Sequence, residues 1–426
     1  MKRIILTFCA LIAFLSAHAL SLDSCYAKAK RNYPLIAQYE LTERLKEYSF
    51  YNASSAWIPQ LSLSGQVTYQ SDVSSFPDEM TRLYEQIGLD IKGLNRDQYK
   101  LTLNLNQTIW DGGVSVAQKK IAQADAEVAN LQVEKELDAL KSRINQIYFG
   151  ILVMEENLKT NLYMDTLLQN NLSQMQSALD NGVVMQSDFD QIKVELLSLK
   201  QQRSQIESTI NAYRQVLSLF IGEAISDSEA LERPQIPTIN NDVNNRAELR
   251  LFDAQIAKND AQRRQINSTI MPRFDLFAQG WYGRPGLDLF DDMINNKFSF
   301  NALAGVRLNW NISGFYTRKS NINKLKVANE AIEVQRGTFL WNLDMQQMQL
   351  KNEIEKMANL QADDDEIVEL RQSIRRASES KYHNGTITMS ELLRDILNEN
   401  NAIQTRTIHQ LDMLRNIYEL KTSLNQ

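Results

Sequence analysis

Few side chains in this sequence could carry out catalysis or bind a metal ion. Beyond residue 19 the chain holds two histidines, His383 and His409, and a single cysteine, Cys25. That is too little material for a metal site or for a cysteine nucleophile. The sequence also lacks a glycine-rich phosphate-binding loop. We therefore expect a protein that is not an enzyme and that uses no cofactor.

Acidic side chains are the remaining candidates for a charged site. The run from Asp363 to Glu366 could bind cations, make a water-filled lumen negative, or form one solvated face of a helix. Asp188 lies six residues after Gly182, and Glu391 lies six residues after Gly385. An acid in the first turn of a helix is favoured by the helix dipole, so these two carboxylates could serve helix starts alone.

The element that precedes Asp188 is a long helix that ends at a turn. Between Gly113 and Gly182 there is no proline, and apolar residues recur in alternating steps of three and four. The stripe consists of Leu137, Leu140, Ile144, Ile147, Ile151, Met154, Leu158, Leu168, Leu172, Met175 and Leu179. A heptad stripe of this length predicts a helix about 100 Å long, at roughly 1.5 Å per residue. A returning helix over 187–220 completes an antiparallel hairpin, which predicts an elongated chain.

Four other segments alternate apolar and polar residues with the period of a β-strand. These segments are 61–70, 99–109, 273–283 and 298–310. Each predicted strand has one apolar face and one face of small or polar side chains. The intervening segments, which follow Tyr69 and Arg284, are polar and are expected to be loops.

The order helix, strand, strand, long helix, turn, helix occurs twice. The first copy spans 20–221 and contains the hairpin 114–220, and the second spans 243–426 and contains the hairpin 315–424. A polar, proline-containing connector over 222–242 joins the two copies. The two Asn-Gly turns lie 203 positions apart, which sets the register of the repeat.

The first 19 residues have the features of a secretory signal peptide. Lys2 and Arg3 precede an apolar run, and Ala17-His18-Ala19 provides a cleavage site. Removing this segment leaves a net charge near −8, which gives no indication of nucleic-acid binding. Leu22-Asp23-Ser24-Cys25 loosely resembles a lipidation signal. Cys25 is therefore either a lipidated N-terminus or a small buried residue on the first helix.

The apolar faces of the strands have two interpretations. In a soluble protein they would pack on another sheet or on helices, whereas in a membrane they would face lipid. Ten-residue strands of alternating polarity are typical of transmembrane barrels, and aromatic residues near the strand ends suit the interfacial girdles. These residues are Tyr69, Tyr99, Tyr282 and Trp310. Four strands cannot close a barrel, for which about eight are needed, so the membrane interpretation requires two or three chains.

In its plan and its local motifs the sequence resembles the TolC family of bacterial outer-membrane efflux ducts. The motifs are Leu22-Asp23-Ser24-Cys25 with Asn32-Tyr33-Pro34, Trp110-Asp111-Gly112-Gly113, and two Asn-Gly turns followed by an acid. The resemblance implies an α+β membrane protein that assembles as a homotrimer. Each chain would give four strands to a 12-stranded β-barrel among outer-membrane lipids and two helical hairpins to a periplasmic α-helical tunnel. It also implies two partners, a periplasmic adaptor protein and an inner-membrane pump or ABC exporter.

The resemblance further implies roles for residues near the hairpin turns. Glu391 matches an acid that forms a ring at the narrow end of the tunnel, and Arg394 replaces a second acid. Tyr382 and Asp188 match two members of a lock that keeps the tunnel closed, whereas Ile387 replaces the arginine of that lock. The turns that are expected to contact the adaptor are Asn181-Gly182-Val183 and Asn384-Gly385-Thr386.

These observations predict a passive channel that exports small molecules as the exit duct of a tripartite efflux pump. Two alternatives stay open. One is the outer-membrane component of a type I protein secretion system, and the other is a periplasmic coiled-coil scaffold without a pore. Selectivity in such systems belongs largely to the inner-membrane partner, which this sequence does not specify.

Overall fold

The computed structural model describes residues 19–91, 93–182, 184–226, 229–240 and 244–425. The expected signal peptide thus lies outside the described residues, except for Ala19, and Val183 lies outside them as well. The helices are α1 (Leu22–Asn32), α2 (Ala37–Ser55), α3 (Asp78–Gln86), α4 (Val114–Asp180), α5 (Gln186–Ile221), α6 (Ala247–Ser268), α7 (Leu289–Asn295), α8 (Gly314–His383) and α9 (Met389–Ser423). The strands are β1 (Gln60–Tyr69), β2 (Asp97–Trp110), β3 (Arg273–Arg284) and β4 (Ser299–Asn309). Within the described segments, no helix combines the length and the apolar character needed to cross a membrane.

Two compact units make up the fold, and each takes segments from both halves of the sequence. The helical unit consists of the described residues within Met1–Tyr39, Leu131–Leu251 and Gln335–Gln426. The sheet unit consists of those within Glu40–Asn130 and Phe252–Val334, and it contains all four strands. This division in space differs from a division by sequence repeat, because β2 of the first copy pairs with β3 of the second.

The sheet unit contains one antiparallel sheet with the strand order β1-β2-β3-β4. Because side chains alternate between faces along a strand, the register assigns each row of paired residues to one face. One apolar row is Leu63, Leu103, Gly280 and Ala302, and the next row, on the opposite face, is Ser64, Thr102, Trp281 and Asn301. The sheet thus has an apolar face and a mainly polar face, and its edges are β1 and β4.

A buried cluster in the helical unit holds the start of the chain against the connector. The Tyr148 side chain is fully buried, and its hydroxyl lies 2.7 Å from the carbonyl oxygen of Leu20 and 2.6 Å from that of Glu232. Leu20 also forms a parallel β-bridge with Leu231. We call this group the connector cluster; its fully or nearly fully buried members include Cys25, Ala29, Ile144, Tyr148, Phe149, Ile151, Leu217 and Leu411.

Cys25 is a buried core residue of the connector cluster. It is part of α1, whose N-cap is Ser21, and it has no exposed surface. Burial is the largest influence on its thiol and raises the pKa to about 12. A chain that began at Cys25 would lack Leu20 and Ser21, which form the bridge to the connector and the cap of α1. These contacts favour the buried-residue interpretation over lipidation.

A second buried cluster lies at the hairpin ends of the helical unit. It draws apolar residues from α4, α5 and α9 and consists of Met164, Leu168, Met175, Ile192, Leu199, Met389, Leu392, Leu393 and Ile396. We call it the hairpin cluster. Apolar residues of α4 belong to both clusters, so this one helix contributes to both buried cores of the helical unit.

The structure differs from the sequence expectation in the segments between paired strands. We expected loops there, but α3 lies between β1 and β2 and α7 lies between β3 and β4. At nine and seven residues, these helices are too short to show a periodic apolar stripe. α7 begins at an Asp288 cap, whose side chain accepts from the Asp291 N–H at 3.0 Å. The opening helix is also interrupted, since Pro34 begins a short 3₁₀ turn between α1 and α2.

Candidate functional site: the hairpin turns and the strand exit

Each hairpin turn is closed by a glycine with a left-handed backbone. The φ angle is 72° at Gly182 and 68° at Gly385. The Gly385 N–H donates to the Tyr382 carbonyl at 2.9 Å, and the Thr386 N–H donates to the Lys381 carbonyl at 3.0 Å. These two bonds form the Schellman motif that ends α8. The Gly182 N–H makes the bond equivalent to that of Gly385 at the end of α4, also at 2.9 Å.

The asparagine before each glycine satisfies one further helix carbonyl. Asn181 Nδ2 donates to the Ser177 carbonyl at 2.7 Å, and Asn384 Nδ2 donates to the Ser380 carbonyl at 2.8 Å. Both asparagines, both turn glycines and Thr386 are exposed. The described residues predicted to contact the adaptor therefore form an accessible surface.

Glu391 is held in a capping box at the start of α9. Its Oε2 accepts from the Thr388 N–H at 2.8 Å, and its own N–H donates to Thr388 Oγ1 at 3.3 Å. The hydrogen bond from the Thr388 backbone is the main cause that lowers the pKa of the Glu391 carboxyl; the Thr388 hydroxyl and nearby Arg394 add to it. The exposed carboxylate thus caps the start of α9 in this conformation.

The first hairpin lacks the equivalent cap. The N-cap of α5 is Met185, which makes no side-chain hydrogen bond, and Asp188 lies in the first turn. The N-terminal parts of α5 and α9 are joined by Ser390, whose hydroxyl donates to Gln191 Oε1 at 2.6 Å. The repeat is therefore preserved in backbone conformation but not in the chemistry of the two helix starts.

Tyr382 and Asp188, the two predicted members of the lock, lie near each other. Tyr382 is half-buried against the hairpin cluster. Burial raises the pKa of its hydroxyl, and the Asp188 carboxylate raises it further. Ile387 packs against the same cluster, so the residue that replaces the lock's arginine contributes apolar contact. Arg394 is exposed one turn beyond Glu391.

The acidic run on α8 makes two polar contacts with α9. Asp364 is buried, and its Oδ2 lies 2.8 Å from His409 Nδ1. Asp365 Oδ1 lies 3.1 Å from Arg406 Nη1. Two of the four acids thus join the helices of the second hairpin.

A buried ion pair that the sequence patterns do not predict lies nearer the second turn. Arg375 on α8 donates to Glu379 and to Glu399, which is buried on α9. Burial alone would lower the pKa of Arg375, but the Glu399 and Glu379 carboxylates outweigh it and raise the pKa. Ser378 on α8 adds a hydrogen bond to Asp395 at 2.6 Å. The sequence signal that could have revealed this pair is a polar residue at a core position of a heptad stripe.

The Trp110-Asp111-Gly112-Gly113 motif converts β2 into α4. The Asp111 carboxylate accepts from the Gly113 N–H at 2.9 Å and from the Ser115 N–H at 2.7 Å. Burial would raise its pKa, but the hydrogen bonds from Ser115 and Gly113 outweigh burial and lower it. Gly112 has a φ of 69°, and a Cβ there would lie 2.7 Å from the Met271 Cβ. The motif needs glycine for both reasons.

Comparisons with known proteins find a match to one protein family and similarity to several solved outer-membrane channels. Residues 25–223 match the family described as outer membrane efflux protein. No curated protein sequence matches the chain. The outer membrane protein VceC of Vibrio cholerae has a similar structure, with a TM-score of 0.65 and 14% identity over 95% of this chain and 94% of that chain.

Two further channels have the same fold. The CmeC outer membrane channel of Campylobacter jejuni gives a TM-score of 0.64 with 12% identity, over 95% of this chain and 85% of that chain. The open state of the Neisseria gonorrhoeae MtrE outer membrane channel gives a TM-score of 0.65 with 13% identity, over 95% of this chain and 88% of that chain. At such low identities these likenesses establish the fold: long helices with a four-stranded antiparallel sheet.

Proposed function

We propose that this chain, whose residues 25–223 match the family described as outer membrane efflux protein, is a channel and not an enzyme, and that it is the exit duct of a tripartite efflux pump. In this proposal three chains form a passive, water-filled channel in the bacterial outer membrane, with their helical hairpins in the periplasm. An inner-membrane pump, engaged through a periplasmic adaptor, supplies the energy.

The observation that carries this proposal is an apolar sheet face that is exposed in the part of the chain that the structure describes. Leu63 is 69% exposed, Val67 is 72% exposed and Phe300 is 75% exposed. A soluble scaffold would bury such side chains, since a contiguous exposed apolar surface marks an interface or a membrane contact. The exposed face therefore supports a lipid-facing sheet over the scaffold alternative.

The two free edges of the sheet support sharing of the barrel between chains. β1 and β4 each pair on one side only in the described strands, and an unpaired edge inside a bilayer costs several kcal/mol for each unsatisfied group. Four strands are too few to close, so β1 of one copy would pair with β4 of the next. Three copies then give the 12 strands that the family resemblance implies.

Disulfide cross-linking tests this pairing. Ser64→Cys on β1 is combined in turn with Asn301→Cys, Leu303→Cys and Gly305→Cys on β4. At least one pair should give linked species of two and three chains on a denaturing gel, with no larger species. Cys25 can remain in place, because burial raises its pKa to about 12 and leaves little reactive thiolate.

A pair inside the sheet provides the control. Asn104 on β2 and Gln279 on β3 face each other with a 2.7 Å hydrogen bond, so cysteines there should link within one chain and give no ladder. Species that stop at two chains would indicate an eight-stranded barrel and contradict the trimer. No interchain link at any β4 position would contradict a shared barrel.

The proposed gate consists of Glu391, Asp188, Tyr382 and Arg394 near the hairpin turns. Its support is that Tyr382 and Asp188 approach each other and that the Glu391 carboxylate is exposed. In the proposed trimer, three copies of Glu391 would form a negative ring. Replacing Glu391 with Ala should raise single-channel conductance or weaken block by divalent cations in planar bilayers.

Thr388→Ala is the matched control for this experiment. It breaks the same capping box while leaving the Glu391 charge in place. If both variants change conductance equally, the effect comes from the helix start and Glu391 does not act as a gate by its charge. Because the turns are exposed, we also propose that they contact the adaptor; cross-links from Asn384→Cys to the adaptor would test this.

A type I secretion exit would share this architecture. Genes adjacent to this one should encode an adaptor together with a proton-driven pump, if small molecules are the cargo. An adjacent ATP-driven exporter with a secreted protein substrate would favour the secretion alternative.

A further inference from the structure

The polar face of the sheet carries an excess of positive charge. The face holds Lys100 and Arg307, together with Arg273 and Asp275. Arg273 Nε pairs with Asp275 Oδ1 at 3.0 Å, so these two charges cancel. Lys100 and Arg307 contact no carboxylate among the residues that the structure describes. The face therefore has two positive charges that are not neutralised by an ion pair.

Lys100 lies over an aromatic ring near the start of β2. Its Nζ is 4.2 Å from the centre of the Trp281 ring, and Trp281 is buried beneath it. Gly283 is opposite Lys100 in the β2–β3 register and presents no side chain. The ring holds the ammonium group over the sheet by a cation–π contact and leaves its charge uncompensated.

Arg307 forms a similar contact at the other end of the same face. Its guanidinium carbon lies 4.6 Å from the centre of the Phe277 ring. A Cβ at Gly305 would be 3.0 Å from the Phe277 ring, so glycine lets the ring lie flat on the sheet beneath the cation. In register, Arg307 is opposite Asp275, but the Asp275 carboxylate is engaged by Arg273, Thr108 and Asn309.

The apolar face of the sheet differs from the polar face in its net charge. Asp97 and Arg284 lie on it at one end and pair with each other. It therefore carries no net charge, as a lipid-facing surface requires. The contrast between the faces assigns the positive charge to the interior of the barrel.

We propose that the barrel segment of the channel is anion-selective, with Lys100 and Arg307 as its specificity-determining residues. This inference rests on the proposed trimeric channel, in which the polar face lines the lumen. Two uncompensated cations in each chain would give six in a trimer, arranged as two rings. The class of cargo that this lining favours is the small organic anion, whose charge the rings attract and whose apolar part can contact the partly exposed Phe277 ring.

Ion selectivity of the purified channel in planar bilayers tests the inference. The reversal potential under a KCl gradient gives the ratio of chloride to potassium permeability for the wild type and for the Lys100→Gln/Arg307→Gln double variant. We expect the ratio to fall by at least about threefold in the double variant. Because a local potential changes the two permeabilities in opposite directions, this corresponds to a change of about half of kT per unit charge. The fall should be larger near 0.1 M salt, where the Debye length is about 10 Å, than near 1 M.

Two controls separate charge from fold. The Lys100→Arg/Arg307→Lys variant exchanges the cations and should keep the wild-type ratio. Lys297→Gln removes a lysine that is already paired with Asp291 at 2.8 Å and should also leave it unchanged. Normal conductance of the double variant with an unaltered ratio would overturn the inference while leaving the channel intact. Absence of any pore in the wild type would instead overturn the proposed function, and the inference with it.

Discussion

The two helical hairpins follow the same sequence plan, but they differ in how far apolar and polar contacts join their helices. In the first hairpin, α4 and α5 pack through apolar residues such as Leu168 and Ile192, both fully buried. In the second, α8 and α9 are joined by polar contacts, among them the Arg375–Glu399 pair and the Asp364–His409 pair. The first hairpin has one such pair as well, Arg214 Nη2 to Glu155 Oε1 at 2.7 Å. A repeat in sequence can therefore keep its turns while the share of polar contacts between its helices changes.

The difference leaves one helix of the second hairpin largely uncovered. In the helical unit, α8 has apolar residues at heptad spacing that stay exposed, with Leu370 at 55% and Ile374 at 43%. α9 instead gives Leu392, Leu393 and Ile396 to the hairpin cluster, together with residues of the first hairpin. We infer that α8 is attached mainly through its ion pairs, so removing a charge should loosen it more than trimming an apolar residue.

The largest expected effect comes from breaking the buried ion pair. Arg375→Met leaves Glu399 buried without its cation, which should lower the local opening free energy of α8 and α9 by about 3–5 kcal/mol. Hydrogen exchange of the hairpin helices in the purified protein measures this. In the double variant Arg375→Met/Glu399→Leu, most of the loss should be recovered, because no charge is left unpaired. Equal losses in the single and double variants would show that the pair does not join the helices.

A smaller effect is expected from a cavity in the first hairpin. Leu168→Ala removes a fully buried side chain from the hairpin cluster and should cost about 3 kcal/mol. The matched change in the second hairpin, Ile374→Ala, should cost under about 1 kcal/mol in a protomer. Exchange measured on α4 and α8 checks both values. A cost at Ile374 equal to that at Leu168 would refute the contrast unless assembly of the trimer buries Ile374.

The two helix starts should differ by a smaller amount. Thr388→Ala removes a capping box and should destabilise the first turn of α9 by about 1 kcal/mol. Met185→Ala, at the equivalent position of α5, should have little effect because Met185 makes no side-chain cap bond. Limited proteolysis at the two turns would detect the difference, and similar cleavage of both variants would contradict it.

The smallest expected effect is a pH dependence confined to the second turn. The folded-state pKa of Glu391 lies below its ordinary value of 4.5. The stability that its carboxylate gives to the start of α9 is therefore fully present above pH 4.5. The contribution is lost as pH falls from 4.5 through the folded pKa. Exchange at the start of α9 should therefore rise, relative to α5, as the pH falls from 6 to 3. Glu391→Gln should remove this difference, and a variant that still shows it would assign the titration to another group.

Some of this fold could be predicted because local patterns repeat over many residues. The heptad stripe of α4 and the alternation of β1 extend far enough to separate a period of 3.6 from a period of two. The Asn-Gly turns could be located because glycine alone adopts the left-handed backbone without a steric cost. The short helices α3 and α7 could not, because a pattern of one or two turns is indistinguishable from a polar loop.

The candidate site was only partly predictable, for a different reason. Asp188 and Glu391 occupy equivalent sequence positions, yet only Glu391 is held by a capping threonine, since the residue at the equivalent cap position is Met185. The partners of Arg375 and Asp364 depend on how far α8 and α9 are offset along their axes. That offset is a property of packing, and no single helix encodes it.

The central claim is that one chain supplies part of a wall that several copies complete. Native mass spectrometry of protein extracted from outer membranes in mild detergent tests it most directly. The account predicts a complex of three chains that dissociates on heating. A single chain that stays monomeric at all detergent concentrations, with its apolar sheet face protected from solvent labelling by its own helices, would contradict it.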